Sequence, residues 1–328
     1  MSEQNTRERI LELLIGGEWV SGQHLADSLG CSRTAVWKHV QALREQGIRI
    51  EQVRGRGYRL QAGQDLLNPA TLRTVVTGDG AHDTVLAYQT TCDSTNTLAR
   101  QILVQGVAPR VVVTAERQLA GRGRLGRDWV SPMAAHLYMS VGFRWAQGYE
   151  TLGGLSLAAG TCVAEALQEY SGAPLTLKWP NDIHAERAKL CGILVELEGE
   201  QGGEVRVVLG VGVNVHEDGQ MGCIDQPWIT LDRLAGRALS RTEVFEAVWS
   251  RLSAGLELFR SQGWPAFMER WTALDRYQGA AVEIRDINGG VMAAGEYRGV
   301  DSAGCLCLGT PDGIRKIHSG ELSLRVQP

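Results

Sequence analysis

The cysteines of this chain show none of the patterning that a disulfide framework or a metal site needs. There are seven in 328 residues, an odd and scattered set whose one close pair, Cys305 and Cys307, would point to one face of a strand. Small, reduced core residues and a cytoplasmic location are the expectation. A long hydrophobic run is also missing, since the most apolar stretch, Leu152 to Leu167, is broken by Glu165. No basic-then-apolar leader opens the chain, so neither membrane insertion nor secretion is expected. Internal repeats and low-complexity tracts are absent from the sequence. So is a P-loop: the nearest candidate, Gly290 to Gly295, continues with Glu296 where Lys followed by Ser or Thr is required.

What is present is a chain long and apolar enough, at 44% hydrophobic residues, to bury a sizeable core in two or three domains. Its formal charge of -4 is unevenly spread. Between Ser32 and Leu60 stand Arg33, Lys38, Arg44, Arg49, Arg54, Arg56 and Arg59 against only Glu45 and Glu51. A basic segment on an otherwise acidic chain implies an anionic partner for that segment alone.

The same segment has a recognisable layout. Ile10, Leu11, Leu13 and Leu14 mark a short amphipathic helix stopped by Gly16 and Gly17, and "GQHLADSLG" fits a second helix. After a tight turn at Gly30 and Cys31, Ser32 caps a third helix, Arg33 to Gln46. Its Val36, Val40 and Leu43 share one face, which leaves Arg33, Thr34, Trp37, Lys38 and Gln41 outside. Helix, helix, turn, helix with basic and amide side chains on the third is what a major-groove reader needs. The next stretch, "IRIEQVRGRGYRL", predicts a hairpin wing whose Arg54 and Arg56 could reach backbone phosphate. A generic three-helix module with a solvated basic face is the weaker alternative.

Further on, "GRGRLGRDW" contains a G-x-G-x-x-G made of Gly121, Gly123 and Gly126. A dinucleotide fingerprint would need a strand before these glycines and a helix after them. The strand is there, Arg110 to Ala115, but the glycines lead into another strand pattern, Leu137, Met139, Val141 and Phe143. The segment is therefore a loop between strands. With Arg122, Arg124 and Arg127 among glycines it is either a phosphate grip or a solvated arginine-rich hairpin tip. "DSTN", Asp93 to Asn96, lies at a strand-to-helix corner, where it could cap the helix or hydrogen-bond a small polar ligand. "LTLKWPNDI" predicts a strand ending in a Pro-Asn-Asp turn, with Asp182 placed to hold Mg²⁺ beside phosphates or simply to make the turn. "AKLCGILVELEG" puts Lys189 at the head of an apolar strand, and "VRVVLGVGVNV" ends another in Gly210, Gly212 and Asn214.

Taken in order behind a winged helix, "DSTN", "AERQLAGRGRLGRDW", "KWPND", "KLCGILVEL" and "GVGVNV" resemble the bifunctional biotin–protein ligase and biotin operon repressor family. The resemblance runs from about Thr6 to "GELSLR". It implies an enzyme that uses MgATP to convert biotin to biotinyl-5′-adenylate and passes the biotin to a lysine of a biotin carboxyl carrier protein. By that similarity Ser94, Thr95, Asn96 and Gln118 hold biotin with the backbone at Arg122. Arg122, Arg124 and Arg127 line the phosphates, and Lys189 sits at the carboxylate and α-phosphate. Asp182 binds Mg²⁺. Gly121, Gly123, Trp129, Asn214, Trp228 and Arg325 contact the ATP or adenylate. Departures fall in the variable parts: Leu125 and Asp128 stand where well-known members carry further basic residues, and the adenylate-wrapping segment His216 to Trp228 is glycine-rich.

The expected fold is α+β: a winged helix-turn-helix over residues 1–62, a central mixed sheet with helices over 63–274, and a small C-terminal SH3-like barrel over 275–328. The family further implies operator DNA as a partner, bound by an adenylate-loaded homodimer joined through sheet edges. A non-catalytic biotin sensor and a lipoate–protein ligase are the competing readings.

Overall fold

The computed structural model describes residues 3–78, 83–199, 203–218, 226–286, 288–318 and 323–326. The N-terminal part consists of α1 (Glu3–Leu14), α2 (Gly22–Leu29), α3 (Arg33–Glu45), β1 (Ile50–Val53) and β2 (Gly57–Leu60). Ser21 and Ser32 cap α2 and α3 by accepting from the His24 and Ala35 N–H groups, and Gly30, at φ 62°, closes α2 in the left-handed conformation. Val36, Val40 and Leu43 are buried as the helical spacing requires. The wing folds back on Val20: a Cβ on Gly57 would lie 2.1 Å from the Val20 carbonyl oxygen, so only glycine fits there.

The central part comprises α4 (Pro69–Gly78), β3 (Thr84–Gln89), α5 (Thr95–Gln105), β4 (Arg110–Ala115), β5 (Leu137–Trp145), α6 (Leu155–Ser171), β6 (Thr176–Lys178), β7 (Asp182–Ala185), β8 (Ala188–Gly199), β9 (Val205–Val213), α7 (Leu231–Ala235), α8 (Arg241–Gln262) and α9 (Met268–Leu274). Its sheet has the order β3-β4-β5-β9-β8-β7-β6, with β3 and β4 parallel and every other neighbouring pair antiparallel. Both faces are covered. Val111, Val113 and Val208 pack with Ala99 and Leu103 of α5, while Val112 and the set Leu137, Met139, Val141 and Phe143 join the main core with residues of α6 and α8. "KWPND" forms the bend of a hairpin, with Lys178 paired opposite Asp182.

The C-terminal part is a five-stranded antiparallel sheet of β10 (Ala281–Arg285), β11 (Val291–Val300), β12 (Leu306–Thr310), β13 (Gly313–Ile317) and β14 (Ser323–Val326), in the order β13-β12-β11-β10-β14. Among the described residues no ladder joins β13 to β14. Two indoles dock this sheet on the central part: Trp264 donates to the Asp301 carbonyl at 2.9 Å and Trp179 to that of Gly304 at 3.4 Å.

One buried cluster ties the chain together. Arg241, at the start of α8, and Glu116, just after β4, are both fully buried and form an ion pair at 2.5 Å. Glu116 also accepts from the Tyr88 hydroxyl at 2.9 Å and the Leu67 N–H at 2.8 Å. Arg241 donates from Nε to the His136 carbonyl at 2.9 Å and from Nη1 to that of Asp65 at 2.7 Å. Burial and the Arg241 charge push the His136 imidazole down to about 3, so it stays neutral and accepts from the Val215 N–H. Removing one member of a buried pair strands the other charge, so Arg241→Met is expected to cost about 3–5 kcal/mol in chemical denaturation. A loss under about 1 kcal/mol would show that the pair is not the joint it resembles.

Candidate functional site

The glycines singled out on β9, together with Gly192 of β8, form the floor of a cleft. Gly192, Gly210 and Gly212 all line it, together with Tyr138, Ile193 and Leu194. Bare backbone is required there. A Cβ on Gly212 would sit 2.6 Å from the Trp129 ring, one on Gly192 3.0 Å from it, and one on Gly210 2.4 Å from Asn96 Oδ1. The indole of Trp129 therefore lies close enough to the sheet to exclude any side chain beneath it.

One wall comes from two segments that leave the sheet together. Beyond β3 and β4 the chain continues in a parallel bridge between Cys92 and Gln118, which brings "DSTN" beside "RQLAG". Ser94, the residue preceding α5, makes no capping hydrogen bond, and Ser94, Thr95 and Asn96 are buried along the cleft. The Thr95 N–H donates to Gln118 Oε1 at 2.9 Å, and Gln118 Nε2 donates to Ser131 Oγ at 3.0 Å. The corner is thus a polar wall rather than a plain helix cap.

The arginine loop closes the cleft. It is a small hairpin, with Gly123 N–H donating to the Arg127 carbonyl at 2.7 Å and Trp129 N–H to that of Gly121 at 2.9 Å, around a single turn at Arg124–Gly126. No long helix leaves these glycines, which settles the G-x-G-x-x-G against a Rossmann turn. Arg124 Nη1 reaches Asn181 Oδ1 at 3.3 Å, and Asn181 Nδ2 donates to the Ile193 carbonyl at 2.7 Å, so the loop is tied to the "KWPND" bend. Arg122 lines the cleft but donates to Thr97 Oγ1 at 2.8 Å.

Charge in the cleft is predominantly positive. Arg122, Arg124, Arg127, Lys178, Lys189 and Arg325 line it against Asp128 and Asp182. Lys189 is paired inward with Asp182 at 2.7 Å and stands 5.4 Å from the centre of the Trp129 ring. Burial opposes ionisation of Asp182, but the Lys189 ammonium and the His184 contact outweigh it and hold the carboxyl well below the usual range. Burial lowers Lys178 and Arg124 below their ordinary values; Asp182 opposes this, while neighbouring cations add to the lowering. An excess of cations over the two carboxylates is a site prepared for an anion. Lys178 went unmarked in the sequence although it opens the "KWPND" motif; Ser131 and Asn181 were missed because their partners are brought in by folding.

Other expected residues sit differently. Gly121 is not on the cleft surface; a Cβ there would meet the Trp129 carbonyl oxygen at 2.6 Å, so its part is to let the hairpin close. Asn214 spends its amide on the carbonyls of Lys189 and Ile229, both at 3.3 Å, and Trp228 forms a backbone bridge with Lys189. Both residues fasten the ends of the segment 216–228, of which 219–225, with Met221 and Ile224, lies outside the described residues. On α3, Arg33, Thr34, Trp37 and Lys38 are exposed and Gln41 half-buried, and the wing's Arg54 and Arg56 are exposed. Trp37, at 47% exposure, is plainly not a core residue.

A DNA-reading module joined to a cation-lined cleft of this construction defines a nucleotide-using ligase coupled to gene regulation, and the relatives agree. Residues 6–59 match an HTH domain, 87–214 the Biotin/lipoate A/B protein ligase family and 279–325 the Biotin protein ligase C terminal domain. The chain is 36% identical to the bifunctional ligase/repressor BirA of Escherichia coli over 99% of both chains. With that of Bacillus subtilis it shares 31% over 97% of its own length and 98% of the other. A biotin protein ligase from Aquifex aeolicus, solved in complex with biotin and ATP, superposes with a TM-score of 0.64 at 32% identity, covering 74% of this chain and 99% of that one. The chain belongs to the family of bifunctional biotin–protein ligase/repressors.

His216, where β9 gives way to the 216–228 segment, has its Nδ1 2.7 Å from Asp232 and its Nε2 3.0 Å from Asp65, in the stretch that joins the N-terminal part to the centre. Burial opposes its charge, but the two carboxylates outweigh burial and raise its pKa above the ordinary 6.5. A raised folded pKa means stabilisation that is complete below the unfolded value and lost as the pH climbs through the folded one. Unfolding midpoints measured from about pH 6 to about pH 8 should therefore fall more steeply for the unaltered chain than for His216→Gln. Parallel profiles would show that the histidine is not charged in the folded state.

Proposed function

We infer that this chain is an ATP-dependent biotin–protein ligase that forms biotinyl-5′-adenylate, transfers biotin to a lysine of a biotin carboxyl carrier protein, and represses biotin operon transcription through its N-terminal module. The observation that carries this reading is the convergence, in one cleft, of a polar wall at Ser94, Thr95 and Gln118 with the cations Lys178, Lys189, Arg124 and Arg127. A small polar ring and a polyphosphate would each find complementary groups there.

In the first step a biotin carboxylate oxygen attacks the α-phosphorus of ATP and pyrophosphate leaves. Two anions must meet, so fixed positive charge is what the protein has to supply. Lys189 is assigned to the carboxylate and α-phosphate, with Arg122, Arg124 and Arg127 along the phosphates and Arg325 at the rim. Trp129 offers an indole face for adenine. In the second step the carrier lysine's amine attacks the acyl carbon and AMP leaves; closing the cleft keeps water from taking its place. Mg²⁺ suits this site because it favours one or two carboxylates plus phosphate oxygens. Asp182 is a half-buried, ionised carboxylate facing the cleft, and among the described residues no group of three or more His, Cys, Asp or Glu would hold a metal alone. Bound to Asp182 with the nucleotide, the ion would offset phosphate charge.

Arg33, Thr34, Trp37, Lys38 and Gln41 are assigned to the operator major groove, and Arg54 and Arg56 to its backbone. An adenylate-loaded homodimer, joined through the open sheet edges, would match a two-fold operator. The domain limits 1–62, 63–274 and 275–328 and a cytoplasmic setting belong to the same proposal; among the described residues no helix is long and apolar enough to cross a membrane. Mass spectrometry of a carrier protein incubated with the chain, biotin and MgATP should show one added biotin, with Lys189→Ala slowing transfer at least about a hundredfold. Sedimented with biotin and MgATP, the unaltered chain should dimerise and Lys189→Ala should not. Unchanged transfer by the variant would remove Lys189 from the chemistry, and a loaded chain that stays monomeric would remove the dimer.

A further inference from the structure

Behind the polar wall runs a second line of hydrogen bonds that ends on Glu196, a residue inside "KLCGILVEL" to which the resemblance assigns no role. Asn96 Nδ2 donates to Glu196 Oε2 at 2.7 Å, and Ser140 Oγ, fully buried on β5, donates to Asn96 Oδ1 at 2.6 Å. Ser140 Oγ is also 2.7 Å from Thr95 Oγ1. The directions of these bonds follow from chemistry. An ionised carboxylate only accepts, so Glu196 compels Asn96 to turn its Nδ2 outward and its Oδ1 toward Ser140. The single Ser140 hydrogen is then committed to Asn96, and its oxygen is left to accept from Thr95. The Thr95 hydrogen has two acceptors, Ser140 at 2.7 Å and Gln118 Oε1 at 3.1 Å, and both lie in the protein. On either choice Thr95 Oγ1 meets the cleft with lone pairs.

The other end of the wall is fixed in the same manner. Ser131 Oγ donates to the Trp129 carbonyl at 2.9 Å, a group that only accepts, so Ser131 must accept from Gln118 Nε2. Gln118 Oε1 is thereby turned to the Thr95 N–H, and its second Nε2 hydrogen is left over. An acceptor at Thr95 beside a spare donor at Gln118 is the complement of an N–H next to a C=O in a ring. A cyclic urea has that edge and a dithiolane does not.

We propose that Glu196, acting through Asn96 and Ser140, is a positioning residue that fixes Thr95 as a hydrogen-bond acceptor for the ureido N–H of biotin. The proposal rests on the biotin ligase reading and adds to it the origin of ring selectivity. Without Glu196 the Asn96 amide is free to turn over and Ser140 can donate to Thr95, which occupies a lone pair that Thr95 would offer an N–H and leaves the longer Gln118 Oε1 contact, at 3.1 Å, to hold the Thr95 hydrogen away from the cleft. Gly210 belongs to the arrangement, since its missing Cβ is what leaves room for the Asn96 amide.

The test compares Glu196→Ala, Glu196→Gln and Ser140→Ala in the full chain, by calorimetric biotin binding and steady-state rates, with thermal midpoints to establish folding. A Gln oxygen can still accept from Asn96, so Glu196→Gln should bind biotin within about threefold of the unaltered chain. Glu196→Ala and Ser140→Ala should weaken biotin binding and raise its KM by about tenfold or more, with ATP KM and saturated kcat within about twofold. Normal biotin binding by both alanine variants would overturn the proposal. So would equal losses in Glu196→Ala and Glu196→Gln, or a fall in kcat with biotin KM unchanged. Failure of the unaltered chain to bind biotin at all would instead overturn the ligase reading, and the proposal with it.

Discussion

The buried pair of Glu116 and Arg241 is the constraint on which the other parts depend. Two charges taken fully out of water are tolerable only if the remaining donors and acceptors find partners. Here most of those partners come from the connecting stretch at Asp65 and Leu67, from Tyr88 on β3 and from the His136 carbonyl before β5, and among the described residues Arg241 Nη2 alone of the pair's atoms is left without one. Glu116 is also the residue at which β4 gives way to the arginine loop, so the root of that loop is anchored in the core while its tip lies over the cleft. Through Asp65 the same cluster reaches His216, where the chain leaves β9 for the 216–228 segment. The connection to the DNA-reading module, the arginine loop and the start of the 216–228 segment thus share one foundation.

On that foundation the cleft works by subtraction as much as by placement. Side chains are withheld at Gly192, Gly210 and Gly212, which gives Trp129 a flat seat and Asn96 room for its amide. Above the floor the charges do not balance, with six cations facing two carboxylates. Such an excess is costly in an empty site and is relieved by a polyanion, which is the physical link between the fold and the adenylation chemistry. The polar wall adds the second requirement, a ring with donor and acceptor side by side.

Local pattern made much of this legible. The spacing of Val36, Val40 and Leu43 and the capping serines are properties of adjacent residues, and α3 lies where they place it. The ordered motifs carried the family, and the cleft gathers Ser94, Thr95, Gln118, Arg124, Lys189 and Asp182 from them. The features that stayed hidden depend on distant partners. Glu116 and Arg241 are 125 residues apart, and neither has neighbours that announce burial. Glu196 looks like a solvated strand residue until β8 is laid beside β9 and within reach of Asn96. Asn214, expected at adenine, has its amide taken by the carbonyls of Lys189 and Ile229, which only the folded ends of the 216–228 segment bring within reach.

The central claim is that one cleft binds a ureido ring and a nucleotide so that the ligand's carboxylate meets the α-phosphate. Pyrophosphate–ATP exchange by the purified chain with Mg²⁺ tests it most directly, with biotin and lipoate added in separate reactions. Exchange with biotin and none with lipoate is the predicted result. Exchange with lipoate instead, or with neither acid, would contradict it and leave the DNA-reading module to carry the function.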